Sequence, residues 1–303
     1  MAQNQPGKLV LGTAQFGMNY GIANTKGQPD NEAVISIIQK AYQEGIIQFD
    51  TAQAYGNSEQ ALGSALTSLG LQDEIQIISK LKPDQDISQE NGIADSLRQS
   101  LKRLSVPTLH GLMIHEEKLL DKWDSGVGNQ LRSLVVSGGV SKIGISLYTV
   151  DYAIRALNTD GIDFIQIPTN ILDKRFIQAG VFDIARKLNK EVYVRSVFLQ
   201  GLLLMKIAEI PHQLSAVKAL IRNLIEYADE NGLSMLELTL AFVKTETKGA
   251  HLVVGVDSDH HLNEIVKAYN KDFDVAVVKR AQDLIPIVDE RIINPSLWDL
   301  SSR

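Results

Sequence analysis

The chain has 303 residues, enough for one large α/β domain or two ordinary ones, with a sizeable core. Its hydrophobic and charged fractions, 44% and 22%, are those of a globular protein, and a net charge of −6 without any long Lys or Arg run argues against nucleic acid or anionic membrane as a main partner. With no cysteine, disulfides, thiolate nucleophiles and Cys-held zinc or iron–sulfur centres are excluded.

In chain order, the opening MAQNQPGKLVLGTAQ lacks a basic region followed by an apolar core, so it does not read as a signal peptide. Short β-branched runs then alternate with amphipathic segments. Strands are expected at KLVLGT (8–13), IIQFDT (46–51), EIQIISK (74–80), LHGLMIH (109–115), VSKIGIS (140–146), IDFIQIP (162–168), EVYVRSV (191–197) and HLVVGV (251–256). Each is too short to be a globular helix. Between them, NEAVISIIQKAYQEG repeats apolar residues at three and four spacing and stops at Gly45, while SEQALGSALTSLG starts at Ser58, read as an N-cap, and ends before Gly70. ISQENGIADSLRQSLKRLS, NQLRSLVVSGG, AGVFDIARKLNK, AVKALIRNLIEYADENG, SMLELTLAFVKTE and DHHLNEIVKAYN follow the same style, the last with Ser258 as its cap. The most apolar later stretch, VYVRSVFLQGLLLMKIAEI, is interrupted by Arg195, Gln200 and Lys206, too often for a membrane span, and a cytoplasmic protein is expected.

Strand–helix alternation implies a parallel sheet, and about eight such units in this length fit a (β/α)₈ TIM barrel better than a doubly wound sheet. No G-x-G-x-x-G follows the first strand, so the Rossmann fingerprint is missing. One domain is expected over 1–303, with a C-terminal tail from about 285, where RIINPSLWDLSSR reads as a tail or partial helix over the barrel.

Active sites of such barrels form at the C-terminal strand ends. There stand Asp50 with Tyr55 in the loop beyond it, Lys80, His115, Ser146 and Gln166, with Asn170 in the next loop. Each has a plain structural account: a turn cap for Asp50, a snorkelling Lys80, a packing His115, a rim aromatic for Tyr55. What unites them is their place at the same end of consecutive strands. Chemically, a tyrosine hydroxyl has a reference pKa near 10, a nearby Lys⁺ lowers it, and an Asp⁻ holds the ammonium in place. Asp, Tyr, Lys and His together make a general acid suited to protonating a carbonyl oxygen while hydride reaches carbon. No H-E-x-x-H or paired-carboxylate metal motif accompanies them.

These residues resemble the aldo-keto reductase superfamily. FDTAQAYGNSE is similar to its Asp-Thr-Ala…Tyr-Gly…Glu signature, IISKL to the strand ending in a catalytic lysine (Lys80, with Lys82 the other register) and LHGLMIHE to the strand ending in a catalytic histidine (His115, not His110). GGVSKIGIS, IDFIQIPTNILD, VRSVFLQGLL and VVGVDSDHHLNEI match further segments in order over nearly the whole chain. The resemblance implies a (β/α)₈ barrel that binds extended NAD(P)H. It makes Tyr55 the general acid, Lys80 and Asp50 its tuning pair and His115 the orienting group. Ser146 and Gln166 would hold the nicotinamide carboxamide, and the Gly255–Asp257–Ser258 region would form the cofactor-binding end.

Three departures stand out. Leu147 replaces an Asn that often follows the serine. Arg195 sits where an aromatic ring usually stacks on the nicotinamide. The loop GVDSDHH offers Asp257 and Asp259 where NADPH-using members present Lys or Arg, so NADH is favoured; the competing account has Lys267 or another cation serving a 2′-phosphate. The expected function is NAD(P)H-dependent reduction of a small aldehyde or ketone, with sugar-derived carbonyls suggested by the polar loop NYGIANTKGQPD. The rivals are a nicotinamide-binding sensor, kept open by Leu147 and Arg195, and a Schiff-base lyase on Lys80.

Overall fold

The β-branched runs become strands β1 (Leu9–Gly12), β2 (Gln48–Asp50), β3 (Gln76–Lys80), β4 (Leu109–Ile114), β5 (Val140–Ser146), β6 (Phe164–Pro168), β7 (Glu191–Arg195) and β8 (His251–Gly255), in a computed structural model that describes residues 8–83 and 92–298. Every strand pairs in parallel with its neighbours in sequence, and β1 pairs with β8 through Leu9↔Leu252 to Gly12↔Gly255, closing a barrel. Parallel strands need crossovers, and helices supply them on the outside. β5 matches its expected range; the others lose one to three residues at their ends, where pairing stops before the apolar pattern does.

Inside the barrel, Val10, Ile78, Met113, Phe164 and Tyr193 form a separate buried cluster with Val253 against it. The Phe164 ring fits because Gly111 and Gly144 face it: a Cβ at Gly111 would come within 2.8 Å of the ring. All remaining core residues pack between sheet and helices. Below the apolar layer the barrel floor is polar. Gln48 donates to Gln76 at 2.8 Å, Lys142 pairs with Glu191 at 2.8 Å, and the Tyr193 ring stacks on His251 with centroids 4.5 Å apart. Among the described residues, buried Gln48 Oε1, Tyr193 Oη, Glu191 Oε2, His110 Nε2 and His251 Nδ1 have no hydrogen-bond partner.

The helices follow the amphipathic pattern: Asn31–Gln43, Ser58–Leu69, Gly92–Leu104, Gly128–Val136, Val181–Lys187, Lys218–Glu230, Met235–Thr247 and Asp259–Asn270. Ser258 caps the last of these by accepting from the His261 amide, as expected, and Ser234 forms a capping box with Glu237. Ser58 differs from its expected role. It is the first helical residue, fully buried, and its hydroxyl donates to the Thr13 carbonyl at 2.7 Å. A hydroxyl tied across to the β1 loop is not free to cap its own helix.

Two helices of two turns or more are additional to the expected set, Val150–Leu157 and Val275–Asp283, as are the single turns Ala14–Gly17 and Arg175–Gln178. Asp274 caps the second, Tyr227 donates to its Val277 carbonyl at 2.8 Å, and Lys174 donates to the carbonyls of Gln282 and Ile285. The segment beyond 285 turns through a short helix, Glu290–Ile293, with Ile293 buried. The expected helix residues 87–91 and the last residues of the tail, 299–303, lie outside the described residues. No helix among the described residues is long and apolar enough to cross a membrane.

Candidate active site

Parallel strands place their C-terminal ends on one face, and that face carries the expected residues. Asp50 ends β2 and Lys80 ends β3, and they meet at 2.5 Å with almost no exposure, 5% and 1%. Lys80 Nζ also donates to the Thr51 carbonyl at 3.2 Å and to Tyr55 Oη at 3.4 Å. The second Asp50 oxygen accepts from Gln166 Nε2 at 2.8 Å. Both Asp50 oxygens are therefore engaged, and Gln166 keeps its carbonyl oxygen and its second amide N–H to offer. His115, just past β4, stands edge-on to Tyr55 with centroids 6.1 Å apart, and its Nδ1 is buried without a partner among the described residues.

Tyr55 is held by a close approach of two loops. A Cβ on Gly17 would overlap the Tyr55 carbonyl oxygen, and a Cβ on Gly56 would overlap the Gly17 carbonyl. Gly56 also has φ +55°, a conformation that side chains rarely adopt. Gln28 staples the same junction by donating to the Phe16 carbonyl at 2.7 Å and to Asn57 Oδ1 at 2.9 Å. Behind it, Glu59 is buried and bound by Arg103 at 2.6 Å and Ser79 at 2.6 Å, so the last residue of the FDTAQAYGNSE stretch has a structural partner.

The electrostatics differ from expectation in one respect. Burial first, then the Asp50 carboxylate, push the Tyr55 hydroxyl well above its usual range, although Arg195 pulls it down. The expected lowering by Lys80 does not prevail, because Asp50 neutralises that ammonium at short range and desolvation disfavours a tyrosinate. Tyr55 thus keeps its proton. Burial pulls the Lys80 ammonium down while Asp50 opposes it, and burial, then Lys80 and Arg195, bring His115 to about 4, a neutral imidazole.

A cleft opens over this set. Of the expected residues it is lined by Asp50, Tyr55, Gln166, Arg195, Gly255 and Asp257, whereas Lys80, His115, Ser146 and Ser258 are not among its lining residues. Ser146 lies beside Gln166 in register, and Asn170 serves the scaffold: its amide bonds the Ser196 carbonyl and the amides of Leu172 and Asp173. Arg195 lays its guanidinium 4.1 Å from the Tyr148 ring centroid, not open to the cleft on both faces.

Other lining residues had no individual role assigned from the sequence, although four lie in the segments NYGIANTKGQPD and VRSVFLQGLL: Gln15, Tyr20, Asn24, Phe198 and Gln200. The loop after β7 places Ser196, Leu199 and Gln200 at φ between +48° and +60°, and the Gln200 carbonyl accepts from the Ile22 amide at 3.1 Å. Three left-handed non-glycine residues in five positions mark stored backbone strain beside the cleft. At Gly255 a Cβ would come within 2.5 Å of Gln15 Nε2, so bare backbone is needed, and the helix Asp259–Asn270 starts at the edge, with its His261 and His260 amides bound to Ser258 Oγ and Asp259 Oδ1. Lys267 stands in the last turn of that helix, about 12 Å along its axis from the start. Asp257 is held by Ser258 Oγ at 3.1 Å and faces His261 Nδ1 at 3.4 Å. No group of His, Asp and Glu among the described residues could hold a metal ion.

Residues 8–286 match the model of the Aldo/keto reductase family. Methylglyoxal reductase DkgA of Escherichia coli O157:H7 is 28% identical over 137 residues, 45% of this chain and 48% of that protein. Aldo-keto reductase YhdN of Bacillus subtilis (strain 168) is 24% identical over 191 residues, 60% of this chain and 57% of its own. The chain thus spans about half the length of the curated relatives it matches. Among solved structures, the holo form of aldo-keto reductase AKR11C1 from Bacillus halodurans superposes with a TM-score of 0.76 over 95% of both chains, at 20% identity.

Proposed function

The chain belongs to the aldo/keto reductase family of NAD(P)H-using oxidoreductases, and we propose that it reduces a small aldehyde or ketone to the alcohol, with Tyr55 as proton donor. One observation carries the reading: a protonated Tyr55 hydroxyl lies 3.4 Å from a buried ammonium that is itself clamped by Asp50 at 2.5 Å, at the floor of a cleft. When bound, NAD(P)H supplies hydride to the carbonyl carbon. The Tyr55 proton goes to the carbonyl oxygen, so the reduced product gains one hydride and one proton. As the proton leaves, Lys80 stabilises the tyrosinate, and Asp50 keeps Lys80 charged. Neutral His115 orients the carbonyl oxygen beside Tyr55.

Ser146 and the free oxygen of Gln166 are assigned to the carboxamide end, Arg195 to the wall beside it, and Gly255, Asp257 and Ser258 to the adenosine end. NADH is the favoured form. Asp257 would repel a 2′-phosphate but can accept from ribose hydroxyls, and Lys267 is too distant to compensate. The lyase alternative is disfavoured because the Lys80 nitrogen is already committed to Asp50, Thr51 and Tyr55. The sensor alternative keeps a specific basis in the buried apolar Leu147 and in Arg195.

The test follows the absorbance of NADH and NADPH with a panel of aldehydes, ketones and sugars, using wild type and Tyr55→Phe. Turnover lost in the variant with cofactor binding retained supports reduction. Tight cofactor binding without turnover on any substrate supports the sensor, and borohydride trapping of substrate on Lys80 supports the lyase. NADPH binding tenfold tighter than NADH would sink the cofactor preference.

A further inference from the structure

We infer that the substrate carries a carboxylate and that Arg195 receives it, with Tyr20 as a second donor. This deepens the carbonyl-reduction reading and rests on it. Arg195 ends β7 with its side chain half-buried in the cleft wall. Its polar contacts are weak and neutral: Nη1 donates to Ser196 Oγ and Nη2 to the Leu147 carbonyl, both at 3.4 Å. Among the described residues no carboxylate comes within ion-pair distance of it. The two acids lining the cleft are already engaged. Asp50 has Lys80 on one oxygen and Gln166 on the other, and Asp257 is held by Ser258 and faces His261.

The charge count around the reacting end is therefore uneven. Lys80 and Asp50 cancel, and Arg195 is left over. Its charge is felt at Tyr55, Tyr20, Lys80 and His115, which places it within electrostatic reach of all four. A half-buried guanidinium without a counter-charge is costly, and an anionic ligand removes that cost. The guanidinium lies 4.1 Å from the Tyr148 ring centroid, and a guanidinium is the side-chain group whose paired N–H donors match a carboxylate. Tyr20 lines the same cleft, and burial pushes its hydroxyl to about 12, so it remains a donor toward an anion. The substrate class that satisfies both ends is an oxo-carboxylate: a carbonyl for Tyr55 and a carboxylate for Arg195. The carboxylate is unchanged by the reaction.

The experiment compares acids with their methyl esters at three lengths: glyoxylate, succinic semialdehyde and 4-carboxybenzaldehyde. Each is tested with NADH on wild type and Arg195→Met. Wild type is expected to favour the best-fitting acid over its ester by about tenfold to a hundredfold in kcat/KM, mostly through KM. Arg195→Met loses that preference, and Arg195→Lys restores part of it. Esters used as well as acids at all three lengths, or a preference that survives in Arg195→Met, would overturn the assignment. A phosphorylated aldehyde preferred to every acid would overturn the choice of carboxylate. Calorimetric titration of the same acids into protein with NADH separates the two readings. Charge-dependent binding lost in Arg195→Met without any turnover keeps the subsite and removes carbonyl reduction. Ester turnover without acid preference does the reverse.

Discussion

The polar barrel floor makes stability depend on pH through His251. This residue opens β8, stacks on Tyr193 and has a buried Nδ1 with no partner among the described residues. Burial first, with Lys8, Lys142 and His110 adding to it and Glu191 opposing, brings its pKa from 6.5 to about 4. The folded state therefore favours the neutral ring. Above pH 6.5 neither state carries the proton and the full stability is present. As pH falls from 6.5 toward 4, the unfolded chain takes up a proton that the folded chain refuses, and stability is lost. At 1.36 kcal/mol per pH unit, the loss is roughly 2.5 kcal/mol at about pH 4.5, a large part of a total of about 5–15 kcal/mol. Urea unfolding at pH 7.5 and pH 4.5 measures it, with His251→Phe as the comparison, since Phe keeps the stack and cannot titrate. Wild type is expected to lose about 2.5 kcal/mol more than the variant over this range. An identical pH dependence for the two proteins refutes the reasoning.

Three more outcomes follow from the candidate site. Lys80→Met leaves Asp50 buried with Gln166 alone and is expected to cost about 3–5 kcal/mol in urea unfolding. Adding Asp50→Asn should recover most of that cost, and a Lys80→Met protein as stable as wild type contradicts the buried pair. Because His115 sits at about 4, reduction is expected to show no histidine step near pH 6.5. An inflection there that vanishes in His115→Gln would show that the ring titrates normally. Gly56→Ala must leave φ +55° and clear the Gly17 carbonyl. It is expected to lower thermal stability and turnover together, since Tyr55 is its neighbour; unchanged values in both assays would remove the loop junction as a positioning element.

Strands and their order were readable because buried parallel strands are nearly continuous β-branched runs, and because Lys80, His115 and Asp50 fall at their ends. The helix Val150–Leu157 was not readable, since Val150, Tyr152 and Ile154 alternate as in a strand and no side-chain cap or closing glycine marks its ends. Val275–Asp283 opens on β-branched residues that mask a helix, despite the Asp274 cap. The Gln166–Asp50 bond joins residues 116 positions apart, a contact no spacing rule contains. The loop after β7 was equally hidden, because Leu199 and Gln200 take left-handed angles without the glycine that would signal them. The raised Tyr55 hydroxyl follows from burial, a property of the closed cleft and not of the motif.

The mutual clearance of Gly17 and Gly56 has a consequence for how such barrels diversify. Each glycine guards the backbone of the other's loop, so neither can be exchanged first and compensated later by a change at its partner. The β1 and β2 loops therefore act as one steric unit. A β1 loop transplanted into a related barrel to import its substrate preference will seat only where the recipient's β2 loop leaves the clearance that Gly56 leaves here.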